Sequence, residues 1–227
     1  MFIKKFRSQL IVGSVFLFPI LFYVLLSIGK HGYTRLAYYG PNQAQMKMEQ
    51  AYELDSGSFV NQNADTLFIK DNRHKISVWS LINTNDYLLT PSVIANLQFL
   101  QDRFKDRSEL QFFSLVSNEV SDGDIQAFIQ KLNIETHNWQ VLHADSVRVN
   151  QFAQNQLFLK YKQLPDSLNQ VVPTVQLVLV DQNLRIRGYF DGATHKEVKE
   201  ELLDAIDMLI REQFVIYKDK SKIKKGI

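Results

Sequence analysis

Val172-Pro173-Thr174-Val175-Gln176-Leu177-Val178-Leu179-Val180-Asp181-Gln182-Asn183-Leu184-Arg185-Ile186-Arg187-Gly188-Tyr189-Phe190 is the stretch on which the fold turns. Residues 175–180 form an apolar run short enough for a strand and rich in β-branched residues. Asp181-Gln182-Asn183 is a turn, and residues 185–190 return as the hairpin partner. Just beyond, Thr194 and Glu197 have capping-box spacing ahead of a helix whose buried side carries Val198, Leu202, Ile206, Leu209 and Ile210.

Upstream of this hairpin, strand and helix signals alternate. Residues 76–82 (Ile-Ser-Val-Trp-Ser-Leu-Ile) read as a buried strand. Thr90-Pro91 then opens a helix, with Thr90 as N-cap, Pro91 as first helical residue and Val93, Leu97, Leu100 and Phe104 as its apolar stripe. Residues 111–116 are a second strand. Ser121 caps a helix carrying Ile125, Phe128, Ile129 and Leu132, residues 139–142 are a short third strand, and 145–154 are helical. A βαβ unit followed by a ββα unit is the thioredoxin-like layout, a central mixed sheet flanked by helices, here with an insertion between the halves. In that layout the proline before the strong strand is typically cis. The Val172–Pro173 bond is therefore expected to be cis, although most X-Pro bonds are trans, and a trans bond in a well-ordered structure would count against the fold.

The N-terminal part differs in kind. Residues 8–29 contain no charged residue and are dominated by Phe, Leu, Ile and Val. At about 1.5 Å per residue such a helix spans a hydrocarbon core of about 30 Å, and Pro19 is tolerable within it. Lys4, Lys5 and Arg7 precede the run, which predicts an N-in orientation. The run is long for a signal peptide and no small-residue cleavage site follows. The expected organisation is a cytoplasmic N-terminus (1–7), a transmembrane signal anchor (8–29), a linker and lead-in segment (30–64), the thioredoxin-like domain (65–214) and a basic C-terminal tail (215–227). This places the domain on the periplasmic side of the inner, cytoplasmic membrane, with Tyr33, Tyr38 and Tyr39 able to sit at the interface.

Composition narrows the chemistry. A net charge of +2 over 227 residues gives no global pull toward nucleic acid. Lys218, Lys220, Lys222, Lys224 and Lys225 form a tail opposed only by Asp219; it either frays into solvent or meets an anionic membrane or partner surface. The sequence has no cysteine, so these residues supply no disulfide, thiolate ligand, haem thioether or thiol nucleophile.

Tyr38-Tyr39-Gly40-Pro41 after the apolar run, Ala95-Asn96-Leu97, Asn138-Trp139, Leu179-Val180-Asp181 and Arg185-Ile186-Arg187-Gly188-Tyr189 occur in an order and spacing that resemble the Sco/SenC family, thioredoxin-fold copper proteins of cytochrome c oxidase assembly. The resemblance covers most of residues 38–212. It implies a Cys-x-x-x-Cys-Pro loop between the first strand and its helix, together with a distant His, as copper ligands. In this sequence the loop reads Thr84-Asn85-Asp86-Tyr87-Leu88-Leu89-Thr90-Pro91. Aligned on Pro91 and Ala95, the cysteine positions fall on Asp86 and Thr90, and the His position falls at or beside Pro173. A carboxylate and a hydroxyl do not replace two thiolates for Cu(I). The family's copper is therefore not expected as a cofactor, while its fold and a protein partner in respiratory oxidase biogenesis are.

The remaining candidates are few. Tyr87, Leu88 and Leu89 either dock a partner or pack into the domain. Asp86 is either an acid or base in the former pocket or a solvated loop carboxylate. His137 and His143 stand roughly 20 Å apart along a strand and read as surface residues at its ends. His195, in the first turn of the last helix, reads as exposed; His31 and His74 have no evident partner. Glu197, Glu200, Glu201 and Asp204 read as the wet face of the last helix. The reading that follows is a non-catalytic, membrane-anchored assembly protein. The alternatives are a metal carrier with substitute ligands and an enzyme built around Asp86.

Overall fold

The computed structural model describes residues 17–22, 35–55, 57–83, 89–116, 121–163 and 171–224, with backbone alone at 122, 162–163, 171–173 and 214–224. The chain divides into two units, Met1–Arg35 and Leu36–Ile227. In the first, residues 17–22 are helical. Among the described residues no helix is long and apolar enough to cross a membrane; most of the run 8–29 lies outside them.

The second unit is a mixed sheet with helices on both faces. Its strands are β1 (Tyr38–Tyr39), β2 (Gln45–Met46), β3 (Ser58–Asn61), β4 (Thr66–Phe68), β5 (Ile76–Ile82), β6 (Leu110–Val116), β7 (Trp139–His143), β8 (Tyr161–Gln163), β9 (Val171–Pro173), β10 (Gln176–Val180) and β11 (Ile186–Asp191). The helices are α1 (Thr90–Arg103), α2 (Asp122–Lys131), α3 (Ser146–Asn155) and α4, which runs through His195–Glu197, a π-helical turn Val198–Leu202 and Leu203–Lys224. Nine strands form one sheet in the order β2-β1-β11-β10-β5-β6-β7-β3-β4, and β8 and β9 form a separate ribbon. β5, β6 and β7 are parallel, while β10 is antiparallel to β5 and to β11. This is the βαβ plus ββα arrangement expected.

The central strands are buried on both sides because their alternate residues feed two cores. Ile76, Val78 and Ile82, with Phe112, Leu177 and Leu179, pack with α1, α2 and α4. Trp79, Leu81, Phe113, Leu115, Val178 and Val180 pack with α3 on the opposite face. Two indoles, one in each core, have dedicated acceptors: Trp79 Nε1 donates to Ser77 Oγ (2.8 Å) and Trp139 Nε1 to Ser114 Oγ (2.9 Å).

The structure departs from the sequence reading in five places. Residues 38–61, assigned to the linker and lead-in segment, supply β1, β2 and β3 to the main sheet. Tyr38 and Tyr39 serve the domain: Tyr38 is buried under the Arg187 guanidinium, 4.2 Å from the ring centroid, and Tyr39 meets Tyr189 edge-on; Tyr33 lies outside the described residues. Thr90 is not the N-cap of α1. It lies within the first turn, and its hydroxyl donates to Asn83 O (2.8 Å). The Thr194–Glu197 capping box does not form, because Asp191 takes both groups. Its carboxylate accepts from Thr194 Oγ1 and its amide donates to Glu197 Oε1, each at 2.8 Å.

The fifth departure is the Val172–Pro173 bond, which is trans. Pro173 lies in β9, paired with Tyr161 of β8, and the next amide, Thr174 N–H, bonds Lys160 O (2.8 Å). The ribbon holds this segment extended, so nothing demands the rarer isomer.

Candidate functional site

The strand ladder determines which loops meet. β10 runs antiparallel to β5 with Leu177 opposite Ser80, and to β11 with Leu177 opposite Phe190. The C-terminal ends of β5 and β11 and the N-terminal end of β10 therefore share one edge of the sheet. That edge carries the β5–α1 connection with Asn83 and Thr90, the segment 173–176, and the turn from Asp191 to His195. Asp86, Tyr87 and Leu88 belong to the same connection but lie outside the described residues. Leu89 is half-buried at the start of α1, Pro91 is exposed, and Pro173 is placed by its backbone in β9.

Hydrogen bonds tie these loops together. Gly192 N donates to Val175 O (2.7 Å), and a Cβ on Gly192 would stand 2.9 Å from that same oxygen, so the approach requires glycine. Asn96, buried on α1, donates through Nδ2 to Gly192 O (2.8 Å) and accepts at Oδ1 from His195 Nδ1 (2.7 Å). Nδ1 of His195 is thereby the protonated nitrogen, and Phe99 holds the ring edge-on at 5.2 Å. His195 is exposed, as expected, but positioned.

A second knot lies on the 173–176 segment. Gln176 Oε1 accepts from Gln43 Nε2 (2.8 Å), Thr174 Oγ1 (3.1 Å) and Lys160 N (3.3 Å), and Gln43 Nε2 also reaches Phe158 O (3.0 Å). Gln43 (φ 58°) and Phe158 (φ 50°) both adopt left-handed backbone conformations, which side-chain-bearing residues rarely adopt. The β1–β2 connection thus holds the base of the Pro173 segment.

Among the described residues, the polar groups at this edge are spent mostly on one another. Thr90 is 7% exposed with its hydroxyl spent on a carbonyl, and a proline ring carries no donor atom, so neither position suits a soft cation such as Cu(I). Asp191 and Glu197 line a small pocket of about 330 Å³ with Thr174, Gln176 and Phe190, but Asp191 accepts from Ala193 N and Thr194 Oγ1, and Glu197 accepts from Asp191 N. Among the described residues no three His, Cys, Asp or Glu side chains converge as metal ligands. His137 is exposed and His143 half-buried at opposite ends of the β7 segment. A pocket of about 560 Å³ lies elsewhere, between β3–β4 and α3, against Phe59, Phe68, Ile69, Arg148 and Phe152.

The other polar centre escaped the sequence reading. Arg187 of β11 is 3% exposed. It donates to Asp181 Oδ2 (3.0 Å), Glu212 Oε2 (3.1 Å), Leu36 O (2.8 Å) and Ala37 O (3.2 Å). Burial pushes the Asp181 carboxyl above its ordinary value, against the pull of two backbone amides and Arg187. Burial likewise raises the Tyr189 phenol, whose hydroxyl donates to Leu157 O (3.1 Å).

No protein-family model matches the sequence, and no curated protein is significantly similar to it. Solved structures are. A SCO1/SenC family lipoprotein from Bacillus anthracis superposes with a TM-score of 0.61 at 22% identity, over 71% of this chain and 96% of that one. BsSco, a member of the Sco family of cytochrome c oxidase assembly proteins, gives 0.59 at 16%, over 71% and 95%. Copper-bound ScoI of Arabidopsis thaliana gives 0.56 at 12%, over 71% and 99%. The structural neighbours are thus Sco/SenC proteins, and the fold shared with them is thioredoxin-like.

Proposed function

We propose that this chain is a membrane-anchored, extracytoplasmic Sco-like protein that acts in cytochrome c oxidase assembly by protein contacts rather than by catalysis or copper transfer. One observation carries the reading. The frame is that of the Sco proteins, yet the position aligned with the second thiolate is Thr90, whose hydroxyl donates inward to Asn83 O, and the sequence has no cysteine. The anchor rests on the uncharged run 8–29 and its basic flank, and the N-in, periplasm-facing orientation rests on the same residues. Contact with a partner falls to the β5–α1 connection, Tyr87-Leu88-Leu89, at the edge where the motif loop of a thioredoxin-like fold opens.

Deleting the gene under copper limitation tests this. Oxidase assembly is expected to fall, and expression of Asp86→Ala and Thr90→Ala chains to restore it fully. Normal assembly in the deletion strain overturns the role. Failure of the two variants to complement, with the chains present at normal levels, overturns its non-catalytic character. Calorimetric titration of the purified chain with Cu(I) is expected to show no tight uptake.

A further inference from the structure

The pocket between β3–β4 and α3 shares no residue with the motif edge, and the assembly role makes no use of it. Its volume of about 560 Å³ lies within the range of small-molecule sites, about 300–1,000 Å³. Its floor is apolar and largely aromatic. Phe59 and Phe152 meet edge-on at 5.1 Å with Ile69 beside them, all three buried. Phe68 also lines the pocket and is 53% exposed, so an aromatic face stands open above that floor.

Gly57 keeps the floor open. Its φ is not positive, so the backbone there does not itself demand glycine. A Cβ at 57 would stand 3.0 Å from Ile69 Cγ1, 3.1 Å from Phe59 Cε2 and 3.2 Å from Phe152 Cδ2. These are the three floor residues, so a side chain at 57 would grow into the space between them. Glycine is there for room, not for conformation.

The rim offers donors. Arg148 touches Asp145 through Nε alone, at 3.5 Å, with both side chains more than half exposed, so among the described residues its terminal nitrogens are unspent. Lys70 and Asp55, also exposed, pair at 3.0 Å and offset each other. Gln156 Oε1 accepts from Tyr52 Oη (2.7 Å) and Asp55 N (3.1 Å). Those two donors fix the amide and leave Nε2 as the end it can offer a ligand. Arg148 and Gln156 are eight residues apart on α3, about 12 Å along the helix.

We propose that this pocket binds a small, elongated amphipathic carboxylic acid. Its carboxylate meets the Arg148 guanidinium, which can take it through two parallel N–H···O bonds. Its aromatic or branched aliphatic body lies on the floor against Phe68. A hydroxyl or carbonyl at its far end accepts from Gln156 Nε2. Arg148 repels an apolar amine, and a neutral alcohol gives the guanidinium no charged acceptor.

The test uses the full-length chain in lipid nanodiscs, with empty nanodiscs as the blank, and saturation-transfer NMR of three probes. 3-(4-Hydroxyphenyl)propionate is expected to bind saturably. The corresponding alcohol should bind at least about tenfold more weakly, and the corresponding amine should not bind. Gly57→Val should abolish binding of the acid by filling the floor. Two exposed positions give variants that leave the core untouched. Arg148→Gln should bring the acid down to the level of the alcohol, and Phe68→Ser should weaken acid and alcohol alike. No saturable binding of the acid overturns the proposal. So does an alcohol or amine that binds as tightly as the acid, or an affinity for the acid that Arg148→Gln and Phe68→Ser leave unchanged.

Discussion

Two polar centres hold this domain together, and they are built from different materials. Around Arg187 the groups are ionic: one guanidinium, two carboxylates and two carbonyls, with Arg187 and Asp181 both nearly inaccessible. At the motif edge they are mainly amides and hydroxyls, those of Asn96, Gln43 and Gln176 and of Thr90 and Thr174, joined by the ring of His195 and, in the turn beside it, by the carboxylates of Asp191 and Glu197. The ionic centre ties β11 and the β10–β11 turn to the start of the domain and to α4, so its task is to fix architecture. The second centre stands at the edge reached by the β5–α1 connection, and among the described residues it uses its donors to bind loop to loop.

The contrast predicts unequal costs. Arg187→Leu leaves the Asp181 carboxylate, Glu212 and the Leu36 and Ala37 carbonyls without their donor, and breaking a buried ion pair in this way costs about 3–5 kcal/mol. Equilibrium unfolding in urea measures it. Because burial already raises Asp181, removing the cation raises it further. The folded-state pKa then lies well above the unfolded value of 3.8, so stability is lost as pH rises from that value through the folded pKa. The deficit of the variant should shrink in acid. A deficit independent of pH would mean that the Leu36 and Ala37 carbonyls, not a carboxylate, are the groups left stranded.

Asn96→Leu probes the second centre. It strands Gly192 O and removes the acceptor for His195 Nδ1–H, for a cost of about 1–3 kcal/mol. Its more telling readout is NMR of the His195 ring, whose tautomer should no longer be fixed. Thr90→Ala removes a single hydrogen bond to Asn83 O and should cost about 1 kcal/mol. If it cost as much as Arg187→Leu, the motif edge would be an architectural keystone on a par with the ionic centre.

The sequence made much of one centre's scaffold legible and almost nothing of its contacts. β5 and β6 were readable because a strand buried on both faces writes a continuous apolar run, and the β10–β11 hairpin because a polar turn separates two such runs. Ser121 was readable as a cap because its partner, Asp124, is local. β1 and β2 were not, being two residues each and defined only by pairing with the distant Ile186 of β11 and with each other. The Asn96–His195 bond joins residues 99 apart, although an Asn among the buried positions of α1 signals an undeclared partner. Arg187 followed the same rule in reverse, since an arginine between Ile186 and Gly188 reads as outward-facing until Asp181 and Glu212 are seen to converge on it. The Thr194-x-x-Glu197 spacing was present but misleading, because Asp191, three residues before Thr194, competes for the same groups.

A third ionic cluster measures how much burial, rather than charge, sets the ionic centre apart. Glu53, about a third exposed, accepts from Arg185 Nη2 and Arg73 Nη2, each at 3.0 Å. Burial pushes its carboxyl up, but the hydrogen bonds and charges of the two arginines outweigh it and leave the group below its ordinary 4.5. Its sign is thus opposite to that of Asp181. A lowered folded-state pKa contributes stability that is complete above the unfolded value and is lost as pH falls through the folded one. Solvent screening keeps such a contribution within about 1 kcal/mol. Comparing the unfolding free energies of the natural chain and Glu53→Gln between about pH 3 and pH 6 should show a small gap at the upper end that closes on acidification. A gap that widened instead would place Glu53 with Asp181, as a carboxylate the fold holds at a cost, and exposure would no longer explain the difference between the two clusters.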